Sequence, residues 1–224
     1  MFKHLLASAA LVAFAPAFAD TLAQWTFETS VPTTAGPLAP EVGSGSALGF
    51  HAGATAYSNP VGNGSTESFS STNWLVGDYY QFSFSTLGFS GLSFSFDQTS
   101  SGTGPRDFNV VYSTNGSSFT TAQSYVVLAN AAPNTAWSAT TYNPAFTLSV
   151  DLSGIAALNN QANVVIRLID ASTVSAGGGV VASGGTDRID NFTAVASAVP
   201  EPGSLALLMA GVGVLGFMAR RNRG

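Results

Sequence analysis

Two segments of this sequence alternate apolar and polar residues with a period of two, Tyr80 to Ser85 and Leu92 to Phe96. Such alternation is typical of β-strands that bury one face and leave the other in water. We therefore expect two neighbouring strands whose phenylalanines face one core, with the serines on the opposite face. Because this spacing already explains the phenylalanines as core residues, we assign them no binding role.

Further strands are predicted along the body of the chain, residues 20–198, where turn residues recur at short intervals. The pair Asn115-Gly116 supplies the positive φ values that a tight hairpin turn needs. The predicted elements are strands at residues 22–28, 107–113, 121–128, 136–142, 146–152, 163–169 and 188–196, one helical turn at 154–160, and loops at 31–49 and 172–185. About eight to ten short strands favour an all-β fold, a two-sheet β-sandwich of jelly-roll type.

The N-terminus begins with a short polar segment, Lys3-His4, followed by an apolar stretch from Leu5 to Phe14 and a small-x-small triplet that ends at Ala19. This order is typical of secretory signal peptides. We predict that the secretion machinery recognises residues 1–19 as a signal peptide. Cleavage between Ala19 and Asp20 would begin the mature chain.

The C-terminus joins a Pro-Glu-Pro triplet, an uncharged apolar run and a basic end. The residues of this predicted sorting signal are Pro200, Glu201, Pro202, Arg220, Arg221 and Arg223. A helix over residues 203–219 rises about 1.5 Å per residue and would be just long enough to cross a thin membrane. The arginines would keep its end on the cytoplasmic side and leave the body outside. We therefore predict a single transmembrane helix here.

This order of triplet, short apolar helix and arginine cluster, over residues 199–224, resembles the PEP-CTERM sorting signal of exported bacterial proteins. The resemblance implies a Gram-negative host and a membrane protease, an exosortase, that cuts near the triplet and releases or transfers the body. Two prolines on either side of a glutamate distinguish this tail from a generic anchor. A plain tail anchor that is never cut is the alternative interpretation.

The body resembles known domains as well. The segments Trp25 to Glu28, Gly77 to Phe82 and Asp187 to Phe192 look like parts of the extracellular β-sandwich domains common among PEP-CTERM proteins. More distantly, the body is similar to jelly-roll carbohydrate-binding modules, a likeness at the level of the fold.

The body is acidic and contains no cysteine. Three arginines stand against eleven carboxylates, which gives residues 20–198 a net charge of −8. Because no basic stripe is available to neutralise phosphates, nucleic acid is not expected as a partner. The lack of cysteine excludes disulfides, thiolate zinc sites and cysteine catalysis, so core packing must supply the stability.

Side chains for catalysis are scarce. Once the signal peptide is removed, His51 is the one histidine, and no Gly-x-Ser-x-Gly turn marks a serine nucleophile. A glycosidase needs two carboxylates about 5 to 10 Å apart. Pairs such as Asp97 with Asp107, or Asp187 with Asp190, are candidates for that role. The alternative is that they are ordinary surface carboxylates of an acidic protein. We therefore predict no catalytic residue and no enzymatic activity.

Glu28, Asp187 and Asp190 are the candidate metal ligands. The two aspartates begin the last predicted strand and Glu28 ends the first, so adjacent terminal strands could bring their oxygens together. Calcium suits such a set because it takes six to eight oxygen ligands. The resemblance to jelly-roll modules implies a structural calcium in a comparable place. The alternative is that the aspartates form surface ion pairs with Arg188 or Arg106.

Trp74 is the candidate platform for a bound sugar, with Asn73, Asp78 and Tyr79 beside it. Sugar rings stack on the faces of indoles, while amides and carboxylates bind the hydroxyls. The alternative places Trp74 in the core, where tryptophan is common in a sandwich.

Together these features predict an exported cell-surface or extracellular-matrix protein that an exosortase processes after transient anchoring in the inner membrane. Its predicted role is structural or adhesive. The alternative is a noncatalytic module that binds an exopolysaccharide, assisted by calcium. An extracellular hydrolase is the third choice.

Overall fold

β-Strands make up most of the body in the computed structural model, which describes residues 19–199 and 202–221. The strands are β1 (Ala19–Trp25), β2 (Val42–Gly43), β3 (Gly45–Phe50), β4 (Tyr57–Ser58), β5 (Phe69–Thr72), β6 (Tyr79–Phe84), β7 (Phe89–Ser100), β8 (Asp107–Ser113), β9 (Thr120–Val126), β10 (Leu128–Ala129), β11 (Thr147–Asp151), β12 (Val164–Asp170) and β13 (Thr186–Ala198). Two 3₁₀ turns lie at Pro144–Phe146 and Ala156–Leu158, and one helix, α1, lies at Pro202–Arg221. The predicted all-β fold is confirmed.

The strands form two sheets, as the sequence predicts. One sheet has five strands in the order β3-β6-β12-β8-β9. The other has eight strands and the central order β10-β7-β13-β1-β2, with β11 on β7 and with β5 joining β4 to β13. The pairs are antiparallel except for the short parallel pair of β10 with β7. The two-sheet sandwich is therefore confirmed.

The two strands expected to be neighbours, β6 and β7, lie in opposite sheets. Their phenylalanines nevertheless face one core, as predicted. Phe192 of β13 lies between them, with its ring 3.8 Å from that of Phe82 and 5.1 Å from that of Phe94. The chain crosses from one sheet to the other between β6 and β7, so the aromatic residues of these strands meet across the core.

A β-bulge at Asn191 directs Phe192 into the core. Asn191 has a φ of 52°, and the register of β13 against β7 shifts between Asp190 and Thr193. Without the extra residue, strand alternation would place Phe192 on the same face as Asp190. The bulge therefore changes which face of β13 is buried along its second half.

Three predictions of local structure are corrected. The segment 31–49, expected to be a loop, contains β2 and most of β3, and residues 136–142 form no strand. In the hairpin between β8 and β9, Gly116 adopts a φ of 73°, whereas Asn115 is not among the residues with positive φ. The turn is longer than two residues, so a single glycine in the left-handed region is sufficient.

The two ends of the body lie side by side. Ala19 pairs with Ser197 and Asp20 with Ala196 across β1 and β13.

The predicted signal peptide, apart from Ala19, lies outside the described residues. Among the residues that the structure describes, no helix combines the length and the apolar character needed to cross a membrane. The transmembrane helix at 203–219 and the three domain boundaries stay predictions.

Candidate functional site

Four planar groups stack in a row on the outer face of the five-stranded sheet; we call Phe50, Tyr79, Arg167 and Phe119 the stacked row. The rings of Phe50 and Tyr79 are nearly parallel at 15°, with their centroids 4.9 Å apart. The Arg167 guanidinium lies 4.1 Å from the Tyr79 centroid and 3.9 Å from the Phe119 centroid. Phe50 keeps 45% of its surface exposed. The row is therefore a half-buried aromatic stack that contains a cation and has Phe50 as its exposed end.

Strand alternation places these side chains on the outer face. Tyr80 of β6 is buried, as are Ile166 and Leu168 of β12, so their neighbours Tyr79 and Arg167 point outward. Phe50 is the register partner of Tyr79 on the adjacent strand. The sheet itself thus aligns the row.

Gln81 positions the guanidinium of Arg167 within the row. Its Oε1 accepts a hydrogen bond of 2.8 Å from Nε of Arg167. Partial burial lowers the pKa of Arg167 from its ordinary value, and the neighbouring Tyr79 opposes that shift. Arginine nevertheless stays protonated at neutral pH. The row therefore carries a full positive charge.

A second polar group, a Ser-His-Asp chain, connects the two sheets. Nδ1 of His51 lies 2.8 Å from Oδ2 of Asp78, and Nε2 of His51 lies 2.9 Å from Oγ of Ser71. His51 follows β3, Asp78 precedes β6, and Ser71 belongs to β5 in the other sheet. This connectivity is that of a serine-hydrolase triad. Burial lowers the pKa of His51, against the opposing effect of Asp78.

The Ser-His-Asp chain lies inside the molecule. Ser71 is fully buried, and the side chains of His51 and Asp78 are 1% and 0% exposed. The rings of Tyr57 and Trp74 pack against the imidazole at 5.7 and 4.7 Å. A substrate carbonyl cannot reach Oγ of Ser71 in this conformation, so the chain acts here as a buried connection between the sheets.

The predicted sugar-binding residues separate into a buried and an outward pair. Trp74 is only 3% exposed, and its Nε1 donates to the Ser71 carbonyl at 3.1 Å. Trp74 as a stacking platform is therefore a wrong prediction, because no face of the indole is open, and the buried Asp78 is equally closed to a ligand. Asn73, half-buried and at a φ of 56°, donates through Nδ2 to Ala54. Tyr79 lies on the outer face, in the stacked row.

The predicted metal ligands are not brought to one point. Asp187 and Asp190 are three residues apart in β13, so alternation turns them to opposite faces of the sheet. Asp187 faces the core and accepts from Gln98 Nε2 at 2.9 Å and Ser100 Oγ at 2.7 Å. Within residues 19–199 and 202–221, no three histidine or acidic side chains converge as metal ligands. This set is therefore a wrong prediction as a shared site, and calcium binding stays untested.

The other two carboxylates of the predicted metal set fix a loop. Asp190 accepts from the backbone N–H of Asn63 at 2.9 Å and from Ser65 Oγ at 2.6 Å. Glu28 accepts from the N–H of Glu67 at 2.8 Å and also from a neighbouring threonine hydroxyl. Burial raises the pKa of Asp190 to about 7 and that of Asp187 well above its ordinary range. Neither aspartate takes part in an ion pair with Arg106 or Arg188.

The residues of the two predicted processing signals lie at or beyond the ends of the described structure. Ala19 and Asp20 open β1, and Arg220 and Arg221 lie in the last turn of α1. Pro202 is the first residue of α1, while Pro200, Glu201 and Arg223 lie outside the described residues.

Residues 198–223 match the family model of the PEP-CTERM protein-sorting motif. The chain carries this sorting motif. The predicted resemblance of the tail is thereby confirmed.

The PEP-CTERM motif begins at the last residue of β13, so the motif follows the sandwich with no further domain between them. All the strands of the described structure precede residue 199. No curated protein matches the chain.

The fold of the chain is similar to several solved structures. The CBM22-1 and GH10 modules of an endo-1,4-β-D-xylanase from Clostridium thermocellum, complexed with xylohexaose, match at a TM-score of 0.47 and 12% identity; the match covers 81% of this chain and 29% of the xylanase chain. The K1 cleaved adhesin domain of Lys-gingipain from Porphyromonas gingivalis matches at 0.46 and 13%, over 81% and 99% of the two chains. The CBM22-1 xylan-binding domain of a Paenibacillus barcinonensis xylanase matches at 0.44 and 12%, over 83% and 100%.

Three members of the stacked row were not predicted as site residues from the sequence. Phe50 lies just beyond the segment read as a loop, and Phe119 lies in the hairpin turn before β9. Arg167 did carry a signal, because it is the one charged residue in the apolar run 163–169. A lone arginine at an alternating position indicates that one face of that strand is open.

Proposed function

We propose that this chain is an exported protein that an exosortase processes at its C-terminus, and that the sandwich then acts outside the inner membrane in a structural or adhesive role. The observation that carries the proposal is the PEP-CTERM motif at residues 198–223. Its position directly after β13 supports processing, because a cut near Pro200 would leave every strand of the sandwich intact. A transient anchor in the inner membrane, formed by residues 203–219, belongs to this proposal.

The proposal is tested by the intact mass of the protein recovered from the inner membrane, the outer surface and the medium of its host. We expect a mature chain that begins at Asp20 and ends near Val199 to Pro202, found outside the inner membrane. Replacing residues 200–202 by alanines should shift the protein to the membrane fraction with a C-terminus at Gly224. Asn222→Ala, inside the motif but outside the triplet and the arginines, is the control and should be processed normally. A wild-type chain that keeps Gly224 in the inner membrane would show a plain anchor.

The stacked row favours a second, compatible function, noncatalytic binding of a polysaccharide. Sugar rings present flat C–H faces that pack on open aromatic rings, while neighbouring polar groups bind hydroxyls. Phe50, 45% exposed at the end of the row, offers such a ring, with Tyr79 stacked behind it and Gln81 and Arg167 as polar neighbours. The row lies on the rigid strands of the sheet, so it is ordered before a ligand binds, which limits the entropy cost of binding.

We predict that Phe50→Ala weakens the binding of the exported protein to its polysaccharide about tenfold, because an aromatic stacking contact of this kind contributes about 0.5–1.5 kcal/mol beyond its buried area. Affinity gel electrophoresis with soluble polysaccharides measures the effect. Leu75→Ala is the matched control, since Leu75 is 47% exposed, close to the 45% of Phe50, but lies in the loop before β6. Equal affinity of the two variants would remove the stacked row from the binding surface.

A further inference from the structure

Arg167 keeps hydrogen-bond donors that the protein does not use. Within residues 19–199, Nε of Arg167 donates to Gln81, while its two terminal amino groups have no hydrogen-bond partner. No carboxylate of that part of the chain forms an ion pair with Arg167. The guanidinium is held between two rings, with its plane and its free donors fixed. The planar guanidinium presents its donors as a fork, which is complementary to a carboxylate that can accept two parallel hydrogen bonds.

The charge of the outer face differs from that of the rest of the body. Residues 20–198 have a net charge of −8. The strands of the five-stranded sheet contain two carboxylates, Asp107 and Asp170. Asp170 is turned inward and is 1% exposed, and Asp107 forms a 2.8 Å ion pair with Arg106. Arg167 is therefore the one uncompensated charge among the side chains of these five strands that point outward, on a protein that is anionic as a whole.

We propose that the stacked row binds an acidic polysaccharide and that the Arg167 guanidinium contacts a carboxylate of a uronic acid residue. The proposal rests on the proposed polysaccharide binding and specifies its ligand class. The exposed ring of Phe50 packs against a sugar ring, Tyr79 supports Phe50 from behind, and the carboxylate of that sugar or the next one takes the free amino groups of Arg167. A neutral polysaccharide would leave those donors to water, so the acidic polymer binds more tightly.

The test compares two polymers that differ in charge and share a backbone, polygalacturonate and its methyl-esterified form. Affinity electrophoresis and calorimetry with the exported protein should give tighter binding to polygalacturonate. Arg167→Gln should weaken that binding about tenfold or more, the range expected for a lost charged hydrogen-bonded contact, and leave binding to the ester within about twofold. Arg106→Gln removes the same charge from the protein outside the row and should weaken binding to polygalacturonate much less than Arg167→Gln, with only the long-range effect of the Asp107 carboxylate that it leaves unpaired.

Arg167→Lys serves as the second variant, because it keeps the charge and loses the planar fork. We expect an affinity for polygalacturonate between those of the wild type and Arg167→Gln, with an unchanged thermal melting curve. Equal wild-type affinity for the two polymers would overturn the acidic preference and leave polysaccharide binding intact. Equal losses in Arg167→Gln and Arg106→Gln would overturn the assigned contact, since only overall charge would matter. Absence of binding to either polymer and to the neutral polysaccharides would refute the proposed polysaccharide function itself.

Discussion

Replacement of Asp78 by alanine is expected to lower the free energy of unfolding by about 3–5 kcal/mol, because it leaves three hydrogen-bond donors around a buried position without their acceptor. The carboxylate accepts hydrogen bonds from three donors, the N–H groups of Ala52 and Leu75 and Nδ1 of His51, each at 2.8 Å. Without Asp78, these donors lose their acceptor at the point where two loops meet β6. Urea denaturation of the exported protein at neutral pH measures the loss.

Asp151→Ala is the control for Asp78→Ala. Asp151 is exposed at the end of β11 and accepts from the N–H of Ser153 at 2.8 Å, so its loss should cost less than about 1 kcal/mol. A double-mutant cycle with His51→Ala should give a coupling energy above about 0.5 kcal/mol, because the two side chains are in contact. Equal costs for Asp78→Ala and Asp151→Ala would contradict the interpretation of the Ser-His-Asp chain as a connection between the sheets.

Phe192→Ala is expected to have an effect of similar size, about 3–5 kcal/mol, because it opens a cavity at the centre of the aromatic core. The ring of Phe192 lies parallel to that of Phe82, at 6° and 3.8 Å, and also contacts Phe94 and Trp25. For a domain of this size, each kcal/mol lowers the melting temperature by about 2–4 °C. Calorimetry or thermal circular dichroism should therefore show a decrease of about 6–20 °C.

Two further variants define what the Phe192 result means. Phe192→Leu fills most of the cavity and should cost clearly less than Phe192→Ala. Phe50→Ala removes the same side chain from the outer face, where 45% of it is exposed, and should cost less than about 1 kcal/mol. If Phe50→Ala destabilised the protein as much as Phe192→Ala, the assignment of the two faces would be wrong.

Local pattern was sufficient for much of the fold. Alternating residues located β6 and part of β7, and the segment 107–113 is β8 as predicted. The apolar run 163–169 became β12, the central strand of the five-stranded sheet. These predictions succeed because the period of a strand depends on nearest neighbours in sequence.

The errors have physical causes too. The predicted metal site was wrong because residues three apart in a strand face opposite sides of the sheet. The spacing of Asp187 and Asp190 in the sequence therefore already argued against a shared site. The β-bulge at Asn191, by contrast, was not predictable from strand periodicity. It arises from the pairing of β13 with β7. Trp74 was named as a sugar platform because of its polar neighbours, with the core as the alternative, and packing against Phe108 and Tyr80 confirms the core alternative.

The sequence by itself determined the PEP-CTERM motif and the two-sheet class, because sorting motifs and strand periods are local and linear. Only the tertiary structure decided which polar and aromatic residues meet. Ser71 comes from β5, and His51 and Asp78 come from two loops beside the other sheet; the stacked row takes its members from β3, β6, β12 and a turn. Such contacts depend on the register of strands far apart in the chain, and a register is fixed by the packing of whole sheets rather than by any single segment.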